Sequence, residues 1–224
     1  THSGVITGAG AINKDTAGTL TLDGTYTGVN GTFNQDDIGS VVNLSKTWGG
    51  NYNQVSGTFN SNVANVAIDG NASFSGTVNI NDGNVGTLNV GSLKLSSATI
   101  NMTLGVSAND LIKSTGALTA SGTNTINLTA NGWTFTTGDY TLITASGGIN
   151  GSNFALGTKP TLTGRQTISL VSSVDNKNLI LKAYMTSGSM KWNGTVDGNW
   201  DYTIGNWTGI TTNFHEGDYA VFDS

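Results

Sequence analysis

The sequence predicts an all-β fold wound as a parallel β-helix, and three features predict it. Short runs of alternating apolar and polar residues follow one another along the chain, separated by Gly or Asn. Imperfect copies of one local grammar recur, with GTL at 18 and 86 and GTF at 31 and 57. Asparagine fills 27 of 224 positions, and in stacked coils its amide can form hydrogen-bonded ladders along the axis. Repeated short strands also fit a sandwich or a closed barrel; the repeat spacing favours the solenoid.

The strand-like pieces are GTLTLDG at 18–24, SVVNLS at 40–45, NVAIDG at 65–70, GTVNIN at 76–81, GTLNVG at 86–91 and SATINMTLG at 97–105. In GTLNV, Leu88 and Val90 point one way while Thr87 and Asn89 point the other, the period of a half-buried strand. Leu20/Leu22, Val78/Ile80 and Ile126/Leu128 repeat that alternation. No segment places apolar residues at i, i+3, i+4 and i+7, so no long helix is expected, and only SANDLIKS at 107–114 offers a short turn of one. Pro160 falls in the loop-like GTKPTLTG. Glycine is expected at corners that need a positive φ.

Composition sharpens the class. Charged residues make up 10% of the chain and the net charge is −5, while 34 Thr, 27 Asn, 21 Ser and 32 Gly supply the bulk of the rest. Disorder pairs few apolar residues with high net charge; here 36% of residues are hydrophobic, so strands with a buried face are expected instead. The absence of cysteine removes disulfides and thiolate metal sites. His2 and His215 lie far apart, which argues against a histidine-rich metal centre, and no cofactor is implied. One arginine and eight scattered lysines form no basic stripe, so nucleic acid is not an expected partner. No apolar run reaches the ~18 residues of a spanning helix, so membrane insertion by this segment is not expected, and the start THSGVITGAG does not read as a signal peptide.

Several stretches carry a resemblance. GVITGAGAINKDTAGTLTLDGTYTG resembles the strand repeat in passenger regions of bacterial autotransporters. ANDLIKSTGALTASGTNTINL and GDYTLITASGGINGSNFAL are similar to segments late in such a passenger unit, and WNGTVDGNWDYTIGNWTG with FHEGDYAVFDS is similar to the segment that opens the next unit. The resemblance implies a right-handed parallel β-helix, export through the outer membrane and display at the bacterial cell surface. It also implies a passenger-like region at 1–187 followed by a Trp-rich start of the next β-helical unit at 188–224, continuous with it.

Individual residues pose sharper questions. Asp36-Asp37 could supply the paired acids of glycoside hydrolysis, one protonating the leaving oxygen and one activating water; an exposed turn explains them more simply. Neither Gly-His-Gly nor Arg-x-Lys accompanies them, and Arg165 stands among neutral neighbours, as a calcium-assisted lyase would not have it. The turns Asp69-Gly70-Asn71, Asp82-Gly83-Asn84 and Asp197-Gly198-Asn199 are too sparse in carboxylates for calcium and read as Asx turns. Sequons at Asn101 and Asn206 are expected by chance in so Asn- and Thr-rich a chain. Trp192, Trp200 and Trp207, with Phe214 and Phe222, are either a ring platform for glycans or packing for a segment rich in Gly, Asn and Thr. Packing is the expected role, because burying each large ring is worth about 1.5–3 kcal/mol.

The function these features imply is noncatalytic: an extracellular structural or adhesive β-helix that attaches to surfaces or to itself, laterally or head to tail. Cell-surface glycans or proteins are its other expected partners. A polysaccharide-degrading enzyme on the same scaffold, or a glycan-binding module, is the alternative.

Overall fold

The structure of the protein, a computed structural model, describes residues 1–80, 83–150, 153–200, 202–215 and 217–222. All regular structure among them is strand. The stretch expected to offer a helical turn contains instead the strand Leu111–Ser114. Its Ile112 and Ser114 face inward and Lys113 outward, and parallel partners on both sides outweigh a weak local preference.

The chain divides into two compact units. The first holds residues 1–134, 139–160 and 169–182, and the second holds 135–138, 161–168 and 183–224.

The first unit is a β-solenoid. Its first column of strands runs Gly18–Leu22, Ser40–Leu44, Thr58–Ser61, Thr77–Ile80, Thr99–Gly105, Asn124–Asn131 and Phe154–Leu156. A second column starts with Ile12–Lys14, Thr32–Gln35 and Asn51–Gln54. It continues through the later halves of Asn65–Phe74 and Thr87–Ser96 to Leu118–Ser121 and Ile149–Asn150. The earlier halves of those two long strands belong to a third column, which Leu111–Ser114 and Gly138–Ala145 extend. Within these columns each strand pairs in parallel with its counterpart one turn away, so successive strands in the chain lie in different columns.

Period-2 alternation fixes the register. Val42, Phe59, Val78, Ile100 and Ile126 form one inward row, each facing its partner in the next turn and each fully buried. A slip of one residue would swap this row for the Asn row on one side or for Val41 and four Thr on the other. Rings fill the early turns: Phe33 and Tyr52 stack with parallel planes at 5.3 Å, and Phe59 lies 5.0 Å from Tyr52 and 5.2 Å from Phe74. Aliphatic residues such as Leu88, Ile112 and Ile143 fill later ones.

Two buried glutamines close the corner after the second column. Gln35 donates from Nε2 to the Ser40 carbonyl at 3.1 Å, the Ser40 hydroxyl at 3.0 Å and the Thr58 carbonyl at 2.9 Å; its Oε1 accepts from the Tyr52 hydroxyl at 2.7 Å. Burial pushes that tyrosine well above its ordinary pKa. One turn later Gln54 donates to the Gly57 and Thr77 carbonyls at 3.0 and 3.1 Å. Each amide therefore ties its own turn to the next, and its polar atoms are satisfied inside the core.

The corner that leads into the second column is a row of glycines. A Cβ on Gly31 would stand 2.0 Å from the Gly10 carbonyl oxygen, and one on Gly50 would stand 2.0 Å from that of Gly31. The same encounter recurs at Gly70 against Gly50 at 2.6 Å, Gly91 against Gly70 at 2.7 Å and Gly116 against Gly91 at 2.9 Å. None of these five has a positive φ. Positive-φ glycines do occur, for example Gly57 and Gly122, but along this corner close approach is the reason for glycine.

Gly50→Ala and Gly70→Ala should each lower stability by about 1–3 kcal/mol, the usual cost of forcing extra atoms into packed space. Gly10→Ala, with nothing within 4 Å of its Cβ position, should change it little. Urea unfolding of the three variants checks the difference.

Candidate functional site

On the outward side of the first column, side chains are tied together from turn to turn. Asn43 donates from Nδ2 to Thr21 Oγ1 at 3.2 Å, Asn60 to Asn43 Oδ1 at 2.6 Å and Asn79 to Asn60 Oδ1 at 2.7 Å. Asn101 donates to Asn79 Oδ1 at 2.5 Å and Asn127 to Asn101 Oδ1 at 2.9 Å, and the Thr158 amide closes the series on Asn127 Oδ1 at 2.8 Å. Every bond points the same way, from a later turn to an earlier one. Parallel, in-register pairing dictates this, because it sets identical side chains one strand spacing apart, about 4.7–4.9 Å. A shorter ladder joins Asn13, Asn34 and Asn53 on the second column at 2.9 and 3.3 Å.

Beside the long ladder lies a row of threonines. Thr58, Thr77, Thr99 and Thr125 are register partners, so four successive turns present Thr-x-Asn at one height. These outward residues are half-buried.

The carboxylates have separate roles. Asp37 Oδ1 accepts from the Gly39 amide at 2.7 Å, which makes an Asx turn, while Asp36 is exposed on the neighbouring surface. Asp197 Oδ1 likewise accepts from the Asn199 amide at 2.9 Å. Asp69-Gly70-Asn71 is a different case: it lies within Asn65–Phe74, and its glycine belongs to the close-packed corner rather than to a turn. Asp82 lies outside the described residues. Asp110, overlooked by motif reasoning, is fully buried and accepts from the Gly86 and Thr103 amides at 2.5 and 2.6 Å. Among the described residues no three His, Cys, Asp or Glu side chains gather as a metal would require.

In the second unit, Ser189–Trp192 pairs antiparallel with Trp207–Gly209 and parallel with Tyr219–Val221. Trp207 is fully buried, 4.6 Å from the Phe214 ring and 5.5 Å from that of Trp200. Trp200 and Phe222 touch each other at 5.1 Å yet remain 58% and 55% exposed; Trp192 and Phe214 are half-buried. The five rings are thus divided between packing and surface.

Asn206, singled out only as a chance sequon, pins this segment. Buried completely, it accepts from the Val196 and Asp197 amides at 2.9 and 3.1 Å and donates to Asp197 Oδ1 and the Asn199 carbonyl at 2.5 and 2.9 Å. The other sequon residue, Asn101, is a rung of the ladder.

Arg165 also has a structural partner. Its guanidinium grips both oxygens of Asp218, and its Nε donates to the Thr186 carbonyl at 2.7 Å. The His215 and Gly188 amides donate to the same carboxylate at 2.8 and 3.0 Å. Burial pushes this carboxyl upward, but the Arg165 hydrogen bonds, the two amides and the guanidinium charge outweigh it and hold Asp218 below the usual carboxylate range.

Comparison with family models and with curated proteins gives no match.

Two outcomes follow from these contacts. Asn79→Ala removes a bond on either side and should cost about 1–3 kcal/mol at roughly 0.5–1.5 kcal/mol per bond. Thr77→Ala leaves the ladder intact and should stay within about 0.5 kcal/mol; chemical denaturation compares the two. Because the Asp218 pKa is depressed in the folded state, its stabilising contribution is complete above the ordinary carboxylate pKa of about 3.9 and is lost as pH falls through the depressed value. An acid titration followed by tryptophan fluorescence should show this loss, and Asp218→Asn should flatten that part of the curve.

Proposed function

We propose that this chain is a noncatalytic, extracellular β-helix of the bacterial autotransporter passenger type, serving as a structural or adhesive segment at the cell surface. The observation that carries the reading is the ladder of asparagines beside a row of threonines, because it gives the solenoid a regular, neutral polar flank. Such a flank makes many equivalent weak contacts, and linked weak contacts become strong attachment through effective concentration. The passenger resemblance, with its right-handed coil and export, rests on the sequence stretches; the parallel stacking of turns is what that resemblance implies. Partners on this reading are surface glycans, surface proteins and other copies of the chain.

The acids support the noncatalytic side of the reading. Asp37 is committed to an Asx turn, Asp110 to two backbone amides and Asp218 to Arg165, so each has a structural explanation. These sites carry more weight than the fold, since a β-helix alone supports many activities.

Beads coated with the chain should adhere to bacterial or host cells more than beads coated with an unrelated acidic protein. Incubation with neutral and uronic-acid polysaccharides should release neither reducing ends nor unsaturated products. Release that disappears in Asp36→Asn would establish the enzyme reading instead.

A further inference from the structure

Charge is distributed unequally between the columns of the solenoid. The seven strands from Gly18–Leu22 to Phe154–Leu156 contain no Asp, Glu, Lys or Arg. The strands of the other two columns carry Lys14, Asp69, Lys94, Lys113 and Asp139. We infer that the outward side of the first column is the docking face for a second copy of this chain, laid sheet against sheet. The inference rests on the noncatalytic contact reading above and names both the surface and the partner.

Three properties of the face select a second copy. In an isologous contact the same patch meets itself, so any charge near the twofold axis approaches its own like. A face whose strands carry no charge avoids that repulsion.

Hydrogen-bonding capacity is the second. Each inner rung, Asn60, Asn79 or Asn101, uses one Nδ2 hydrogen and accepts one bond at Oδ1. An amide has two hydrogens and two lone pairs, so one donor and one acceptor remain on every rung. The threonine hydroxyls beside them can both donate and accept. Donors and acceptors are therefore balanced, and a copy of the same face can satisfy them on contact.

Period is the third. Rows recur at the strand spacing of about 4.7–4.9 Å, and a second copy repeats at the same interval, so matched rows stay matched along the face. Asparagine ladders in paired sheets show that such a surface can pack against its own kind.

The face is small. Seven strands by roughly five residues give about 400–500 Å² per copy, below the ~800 Å² per partner of a standard stable interface. Pairing of isolated chains should therefore be weak.

Sedimentation velocity of the 224-residue chain over a concentration series tests the proposal. Expected is reversible self-association in the micromolar-to-millimolar range that does not weaken as salt rises, since no charge on the face takes part and salt screens the net charge of −5 on each copy. Thr77→Lys with Thr99→Lys places two ammonium groups on the face and should weaken association at least tenfold. Ser73→Lys with Thr119→Lys, on the second column, should leave it unaltered; far-UV circular dichroism and melting confirm that both variants fold.

Other outcomes overturn the proposal in distinguishable ways. A wild-type chain that stays monomeric at the highest concentration removes the docking face but leaves adhesion to cells standing. Association weakened only by the second-column pair moves the interface elsewhere. A monomeric chain whose capture by immobilised polysaccharide is lost in Thr77→Lys with Thr99→Lys assigns the face to a glycan and not to a second copy.

Discussion

The solenoid depends on how closely one turn approaches the next at the glycine corner. Parallel strands sit about 4.7–4.9 Å apart, and a corner must keep that spacing while the backbone changes direction. At Gly31 and Gly50 the carbonyl oxygen of the preceding turn lies 2.0 Å from where a Cβ would be, so any side chain would lever the turns apart. Backbone bonds cross the same place: the Gly70 amide donates to Gly50 at 3.2 Å, and that of Gly147 donates to Gly116 at 3.0 Å. The spacing held there is the spacing at which asparagines on another column can join hands.

From this constraint the remaining features follow in sequence. In-register stacking places like residue over like residue, inward as rows of Val, Ile and Phe, outward as rows of Thr and Asn. Buried Gln35 and Gln54 satisfy carbonyls on two turns at once, so the corner near them is fastened by side chains as well as by backbone bonds such as that from the Val55 amide to the Gln35 carbonyl at 2.8 Å. The outward ladder costs no net charge, and it fixes side chains that would otherwise be mobile. The surface that results is ordered before any partner arrives, which reduces the entropy a contact must overcome.

Much of this was legible from residue order alone. Alternation in GTLNV and GTVNI located strands because Leu88, Val90, Val78 and Ile80 all point inward. Asparagine abundance signalled ladders, though only register could say which residues form them. Glycine was harder: its number was plain, but a reason based on positive φ fits Gly57 and fails at Gly50, where the deciding atom belongs to a residue of another turn. The repeated TFNQ and NYNQ stretches held the signal for the paired buried glutamines, whose partners lie in later strands. Asp110, Asn206 and the Arg165–Asp218 pair had no local signature, since each acts through backbone groups or side chains distant in sequence. In the Trp-rich segment, ring spacing could not separate buried Trp207 from exposed Trp200, because burial there follows from packing such as that of Trp207 on Phe214, which spacing does not encode.

Native-state hydrogen exchange at the glycine corner tests this account most directly. If close approach between turns holds the stack together, the amides of Gly70, Gly116 and Gly147 exchange only with global unfolding, as slowly as those of core strands such as Thr77–Ile80. Exchange at the rate of open loop amides would contradict it, since the turns would then separate at that corner while the rest of the fold remained intact.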